Sequence, residues 1–460
     1  MTVTASALIP DLHRGLGNRL VTDQATLAGY RHDEARNVPH GVPAAVVLAK
    51  SASDVQEVLR AAGRHAAAVV CRGAGSGLSG GANAVDGGIV LSLERMDSLL
   101  DLDPRNLYAV VQPGMINAQL STAAREFGLY YPPDPASREI STLGGNVATN
   151  AGGLCCVKYG VTRDSVLGLE VVLADGTIVQ TGRRTLKGVA GYDLTGLFVG
   201  SEGTLGVVTS ITLRLRPLPP PPSTLIAFFP SLVSLGEAVV AIRGSLVPSL
   251  LELIDQATIR AVEAWRPLDL NTDAAGVLIA QSDAGEGQGT REVALMESLC
   301  IRAGAEFTAT TDDPQEAEVF LAARKLAHAS VKRLGNTLLD DVSVPCSRIP
   351  DLLRALVEIS AREGLLIATV GHAGDGNLHP MIVFDDGNAD QVAAARRAFD
   401  TILTTTIGMG GTISGEHGVG LLKRDYMERA VGSPSLVLQQ SIKRLLDPAG
   451  ILNPGKVLPA

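Results

Sequence analysis

His372 and His379 bracket a glycine-rich turn in the stretch Val370-Gly371-His372-Ala373-Gly374-Asp375-Gly376-Asn377-Leu378-His379. Apolar runs lie before it, at 365–369, and after it, at 380–384. Asp-Gly between two apolar runs is a strong hairpin signal, because glycine accepts the positive φ of a tight turn. A turn at Asp375-Gly376, or a four-residue loop over 374–377, sets His372 directly opposite His379 on one face. Their Cβ atoms would then lie roughly 5 Å apart. Two neutral imidazoles at that separation can share a metal ion. Without a metal, the same pair would be hydrogen-bonding groups of a polar turn. A second stretch, Ser414-Gly415-Glu416-His417-Gly418-Val419-Gly420, sets an acid and a histidine among glycines. That composition is poor helix and poor core, but it suits a backbone bent close to a ligand. Two histidines, one carboxylate and an open position make a catalytic metal site, with the remaining histidine available as a base.

Three further small-residue stretches could hold a ligand against bare backbone. The first is Arg72-Gly73-Ala74-Gly75-Ser76-Gly77-Leu78-Ser79-Gly80-Gly81. It leaves a strand expected at 66–71 and runs through Asp86-Gly87-Gly88 into another at 89–93. The dinucleotide fingerprint must open directly into a helix, so this is not that motif. A nest of backbone N–H groups could still grip a phosphate. A plain flexible turn is the alternative, and so many glycines favour the phosphate. The second stretch, 141–153, is small throughout, which implies something flat and bulky lying against the backbone. The third is Gly200-Ser201-Glu202-Gly203-Thr204-Leu205-Gly206, ahead of a strand at 207–215.

The elements that must carry these stretches fall into two patterns. In the first half, strands are expected at 43–49, 66–71, 89–93 and 108–112, and a hairpin of 166–173 with 177–181. A helix behind Ser53-Asp54-Val55-Gln56, read as a capping box, and one at 117–127 accompany them. The prolines of 217–222 form a stiff spacer. Beyond it come strands at 225–229, 250–254, 276–281 and 340–345, with helices at 232–245, 257–265, 291–303, 314–334, 349–363 and 389–407. This pattern is α+β, with helices on one face of an antiparallel sheet. The expected domains are 1–217, 218–410 and a returning C-terminal segment, 411–460.

Composition narrows the class. A chain of 460 residues, 46% hydrophobic and 19% charged, is expected to fold into two or more globular domains. A net charge of -9 argues against nucleic acid. Five cysteines in this length are no disulfide framework, and no stretch has the ~20 apolar residues of a membrane span. No signal-peptide pattern opens the chain. A cytoplasmic protein is expected; contact with the inner face of a membrane is compatible with this.

Together and in order, 72–81, 141–153, 200–206, 372–379, 414–420 and Asn453-Pro454-Gly455-Lys456 are specific. Through them the chain resembles the FAD-dependent D-2-hydroxyacid dehydrogenases of the vanillyl-alcohol oxidase (PCMH) flavoprotein superfamily. The likeness is to the cytochrome-linked D-lactate dehydrogenase and glycolate oxidase FAD-subunit type. It covers nearly the whole chain. It implies a PCMH-type FAD domain of two α+β subdomains and an α+β cap domain. FAD pyrophosphate would lie on Arg72, Gly73, Ala74, Gly75, Ser76 and Gly77, with Ser79 and Gly80 beside them. The isoalloxazine would rest against Thr142, Gly145, Asn146, Ala148, Thr149, Gly152 and Gly153. Pro113, Gly114, Glu202, Gly206, Val207 and Asn453 would complete the cofactor site. Ser76 stands where some members carry a flavin-linked histidine, which implies non-covalent FAD.

The resemblance further implies zinc or manganese on His372, His379 and Glu416, with His417 as the catalytic base. Arg324 would grip the substrate carboxylate; the other reading of Arg324 is an exposed helix charge. The 2-hydroxyglutarate-oxidising branch has a threonine, a lysine and an asparagine where this chain has His328, Leu339 and Met381. Those departures favour a substrate with a small or apolar side chain, such as D-lactate or glycolate. Electrons would pass to a separate acceptor (a cytochrome, a quinone or an electron-transfer flavoprotein), and a homodimer is compatible with the sequence. The alternatives are a D-2-hydroxyglutarate dehydrogenase, an oxygen-using oxidase of the same family, a non-redox alkylglycerone-phosphate synthase and a non-catalytic flavin subunit.

Overall fold

The computed structural model describes residues 5–35, 38–185 and 187–459. It divides into two compact units: Met1–Gly152 with Val161–Leu218 and Glu416–Ala460, and Gly153–Gly160 with Pro219–Gly415. The short segment Gly153–Gly160, expected in the first domain, belongs to the second. There the Lys158 ammonium and the Tyr159 hydroxyl both donate to the Asp283 carboxylate.

The first unit holds two main sheets and a two-stranded one, Leu129–Tyr130 with Arg216–Pro217. In one main sheet, the strands run in the order Leu20–Val21, Ala45–Leu48, Ile89–Ser92, Val69–Arg72. Ala45–Leu48 and Val69–Arg72 both pair in parallel with Ile89–Ser92. Parallel strands that follow one another in the chain need a crossover, and helix Ala52–His65 supplies the one from Ala45–Leu48 to Val69–Arg72, which leaves the place between them for Ile89–Ser92. It buries Val55, Val58, Leu59 and Ala62 in the same core as Val47, Val69 and Leu91. Its N-cap is Ser51, whose Oγ accepts from Asp54 N at 3.3 Å, so the helix starts two residues before the expected cap at Ser53, and the expected capping box is replaced by a simple N-cap. Ser53 falls in the first turn, where its hydroxyl meets that of Ser51. The C-terminal tail returns to this sheet: Val69 N donates to Ile451 O, and Asn453 N to Val69 O, both at 2.8 Å.

The other main sheet is antiparallel, in the order Leu99–Asp103, Tyr108–Val111, Val207–Arg214, Val166–Val172, Ile178–Gly182. Val207–Arg214 alternates buried and half-buried residues along its length, the mark of a sheet with one packed face. Val166–Val172 and Ile178–Gly182 form the expected hairpin over Asp175-Gly176.

The second unit is built on an antiparallel sheet in the order Phe307–Thr311, Ser223–Phe229, Gly276–Ser282, Leu250–Asp255, Leu366–His372, Asn377–Phe384, Asn336–Leu339, with Val342–Ser343 also on Asn377–Phe384. The sequence marked no strand at 336–339. Helices lie on both faces, not on one. Ile226, Ile279, Val370 and Met381 pack with Ile259, Ala323 and Ala327 of helices Gln256–Trp265 and Pro314–Val331. Their neighbours of opposite parity, Leu225, Leu278 and Ile382, are equally buried. Helices Leu232–Arg243, Gln288–Arg302, Ile349–Glu363 and Ala389–Gly408 cover that side. Strands buried on both faces read as continuous apolar runs, which is how Leu250–Asp255 and Gly276–Ser282 look in the sequence.

Candidate active site

The glycine stretch after Val69–Arg72 is built to leave amides exposed. No backbone N–H from Gly73 to Gly77 donates to a protein acceptor among the described residues. A row of unspent donors on a half-exposed loop is what a pyrophosphate needs. A Cβ on Gly73 would lie 2.2 Å from Thr142 Oγ1, and one on Gly75 would lie 2.0 Å from Arg72 Nη2. Gly75 also has φ +72°. Thus Arg72 lies along its own loop, with Nη1 donating to His32 O at 3.0 Å. Ser76 is half-buried beside the same amides, and Ser79 and Gly80 are buried behind them.

The run 141–153 is mostly a short helix, Leu143–Thr149, where the sequence suggested only bare backbone. Thr142 caps it, its Oγ1 accepting from Gly145 N at 3.2 Å. Pro113-Gly114 packs against that turn: Gly144 N donates to Pro113 O at 2.7 Å, and a Cβ on Gly144 would lie 2.5 Å from Pro113 Cβ. Asn146 is pinned between Asn117 and Ser141. Thr149 turns its hydroxyl back onto Gly145 O. Ala148 O accepts from Glu202 N at 2.9 Å. Gly145 and Ala148 remain half-buried; Gly152 is buried in this unit and Gly153 in the other.

Glu202 spends its side chain on protein backbone, and Asn453 spends its own on backbone and on Lys456. Glu202 sits at φ +50° and accepts from Val419 N at 2.7 Å and Gly420 N at 3.0 Å. Burial pushes its carboxyl up to about 7 despite those two bonds. Asn453 Nδ2 donates to Gly81 O at 3.0 Å and Glu202 O at 2.7 Å. Lys456, whose ammonium burial lowers to about 7, donates to Asn83 O and Asn453 Oδ1. These contacts clamp the C-terminal segment onto the glycine loop within the first unit. Gly206 lies tight against Val171, and Val207 is in the core. Glu416 and His417, also in this unit, are both largely shielded and 3.7 Å apart.

In the second unit the hairpin forms, but two residues out of the expected register. His372 pairs with Asn377, and His379 with Val370. The loop is Ala373-Gly374-Asp375-Gly376. A shift of two preserves the face, because side chains alternate with period two. The histidines are therefore diagonal neighbours rather than direct partners, still within reach of each other. Their ring centroids are 5.1 Å apart and the planes nearly perpendicular. Each ring has a carboxylate at Nδ1: Glu252 Oε1 at 2.7 Å from His372, and Asp341 Oδ1 at 3.7 Å from His379. A carboxylate hydrogen-bonded at the second ring nitrogen is the usual support of a metal-binding histidine, so the Glu252–His372 pair fits a divalent ion; Asp341, at 3.7 Å, is too far from His379 to make the same bond. Ser414 Oγ donates to Asp341 Oδ2 at 2.8 Å, and a Cβ on Gly415 would lie 2.5 Å from Asn377. Glu416 is the next residue in the chain.

Arg324 is not an exposed helix charge. It is 9% exposed, and its Nε donates to Glu252 Oε2 at 2.6 Å. Its two terminal nitrogens have no protein acceptor among the described residues. Glu252 and Asp341 were passed over in the sequence. Their signal was a single carboxylate inside the apolar run Leu250–Ile254, and a pair of aspartates, Asp340-Asp341, at a strand edge.

A glycine nest on a mixed sheet, followed by a unit built on one large antiparallel sheet, defines a PCMH/vanillyl-alcohol-oxidase-type flavoprotein. Solved structures share the fold: p-cresol methylhydroxylase at TM-score 0.83 and 19% identity, covering 99% of this chain and 97% of that one. An alkyldihydroxyacetonephosphate synthase gives TM-score 0.75 at 18% identity, covering 98% and 85%. Residues 43–182 match the FAD binding domain and 218–457 the C-terminal domain of FAD linked oxidases. Among curated proteins, the glycolate oxidase subunit GlcD of Bacillus subtilis is 40% identical, over 90% of this chain and 89% of its own. A probable mitochondrial D-lactate dehydrogenase of Danio rerio is 34% identical, over 90% and 84%. A D-2-hydroxyglutarate dehydrogenase of Xanthomonas citri is 36% identical, over 95% and 94%. The chain belongs to the FAD-linked oxidase family, within its FAD-dependent D-2-hydroxyacid dehydrogenase group.

Proposed function

We propose that this enzyme oxidises a small D-2-hydroxy acid of the D-lactate or glycolate kind to the 2-keto acid and passes the electrons to a separate acceptor. The observation that carries the reading is Arg324: a buried guanidinium with both terminal nitrogens unspent, sharing a carboxylate with His372. Those nitrogens suit a bidentate grip on the substrate carboxylate. His417 takes the hydroxyl proton. The Gly73–Gly77 amides would hold FAD without a covalent bond, and the flavin would supply the hydride acceptor for the substrate α-carbon. His372 and His379, with Glu416, would hold zinc or manganese, which supplies Lewis acidity at the substrate hydroxyl. Buried Met381, packed with Ala368 and Val370, offers no hydrogen bond to a distal carboxylate, which favours a short apolar side chain. D-2-Hydroxyglutarate stays as the second reading, on the strength of the Xanthomonas relative. A cytochrome, quinone or electron-transfer flavoprotein is the proposed acceptor, with the protein in the cytoplasm or at the inner face of a membrane; a homodimer is compatible with all of this. An anaerobic screen of D-lactate, glycolate and D-2-hydroxyglutarate, read by flavin bleaching, tests the assignment. Reduction by none of them would overturn it.

A further inference from the structure

Glu252 sits in the middle of an apolar strand and is wholly buried. Its Cα lies directly opposite that of His372 in the antiparallel ladder. The two carboxylate oxygens serve different partners. Oε1 is 2.7 Å from His372 Nδ1, and Oε2 accepts from Arg324 Nε at 2.6 Å. A carboxylate this deep persists only when its charge and lone pairs are met. Arg324 meets the charge, so the imidazole need not. An ionised carboxylate only accepts, so the hydrogen between Glu252 and the ring belongs to Nδ1. The lone pair of the neutral ring is then on Nε2. On the arginine, the same carboxylate occupies Nε, and the edge left for a second carboxylate is the Nη1/Nη2 pair.

We propose that Glu252 is a positioning residue that sets the donor nitrogen of His372 and the binding edge of Arg324 in one frame. Its consequence for metal and substrate rests on the function proposed above; the ring tautomer does not. The test is Glu252→Gln. An amide keeps the size but offers one acceptor and one donor to two N–H groups. It can satisfy Arg324 or His372 in its present tautomer, never both.

Imidazole ¹⁵N correlation spectra of the metal-stripped, FAD-loaded wild type should show His372 protonated at Nδ1, with the signal assigned by its loss in His372→Asn. In Glu252→Gln that population should fall. Zinc affinity, read by competition with a chromophoric chelator, should weaken by about 10–100-fold. The KM for the hydroxy acid should rise while FAD content and far-UV circular dichroism stay unchanged. Wild-type His372 unprotonated at Nδ1, or a variant with wild-type tautomer, zinc affinity and KM, would overturn the proposal. If the variant fails to fold, the wild-type spectrum decides. If the wild type binds no zinc, the metal reading of the preceding section fails, and tautomer and KM alone decide the role of Glu252.

Discussion

Arg324 and Glu252 are a buried pair, and at this depth the two cannot be treated as surface charges. Removing one partner of such a pair costs about 3–5 kcal/mol, because the other charge is left uncompensated. Arg324→Lys keeps a charge but loses the planar fork. Turnover should fall and KM rise with every acid that reduces the flavin; unchanged kinetics would place the carboxylate grip elsewhere. His417→Ala should retain metal and FAD and lose on the order of 10²–10⁴ in rate, measured by stopped-flow flavin reduction. Glu202 makes a pH prediction. Its carboxyl stands at about 7 in the folded protein against an ordinary 4.5. The folded state therefore binds the proton more tightly. This contribution is fully present below pH ~4.5 and is lost as pH rises through ~7, a change of about 3 kcal/mol. Lys456, pulled down to about 7, acts in the window above that and not within it. Urea denaturation across this range should show Glu202→Gln losing less stability than wild type as pH rises; parallel curves would contradict the assignment. The histidines and Glu416 were legible in the sequence because they stand out among glycines and apolar residues, whereas Arg324, one of several basic residues on its helix, was marked only through the family resemblance. Glu252 was not legible, because a strand read only for its apolar majority hides the one residue that departs from it.

At the scale of elements, the hairpin shows what a local signal carries and what it omits. Asp375-Gly376 announced a turn, and one forms. Its register depends on a residue about thirty positions earlier, just past the strand Val342–Ser343: Val344 N donates to Gly376 O at 3.0 Å, and a Cβ on Gly376 would lie 2.0 Å from Val344 O. That approach draws the loop to Ala373–Gly376. The period of two protected the functional inference, since a shift of one would have sent the histidines to opposite faces. Gly376 also holds φ +81°. Gly376→Ala should therefore cost roughly 1–3 kcal/mol in denaturation and lower zinc occupancy, as the turn is forced to move. A variant with wild-type stability and zinc content would show that this turn does not set the site. The helices of the second unit were placed well, but their distribution over two faces was not. Alternation of buried residues disappears when both faces are covered, so the uniform burial of Leu250–Asp255 does not distinguish one side from the other.

For the molecule as a whole, no helix among the described residues is long and apolar enough to cross a membrane. The glycine nest, the Leu143–Thr149 turn and the C-terminal clamp all belong to the first unit, so FAD binding should survive changes at the hairpin histidines. Acid precipitation should release yellow FAD into the supernatant, because Ser76 offers no nucleophile of the kind that links flavin; colour kept in the pellet would contradict this. Chelation should abolish substrate reduction of the flavin while leaving its oxidised spectrum intact, and added zinc or manganese should restore it. The most direct measurement is anaerobic mixing of the FAD-loaded enzyme with D-lactate, L-lactate and glycolate in turn, following flavin absorbance and assaying the 2-keto acid. The account predicts that D-lactate or glycolate bleaches the flavin with one keto acid formed per flavin, and that L-lactate does not. A flavin that dithionite reduces but no D-2-hydroxy acid does would contradict it.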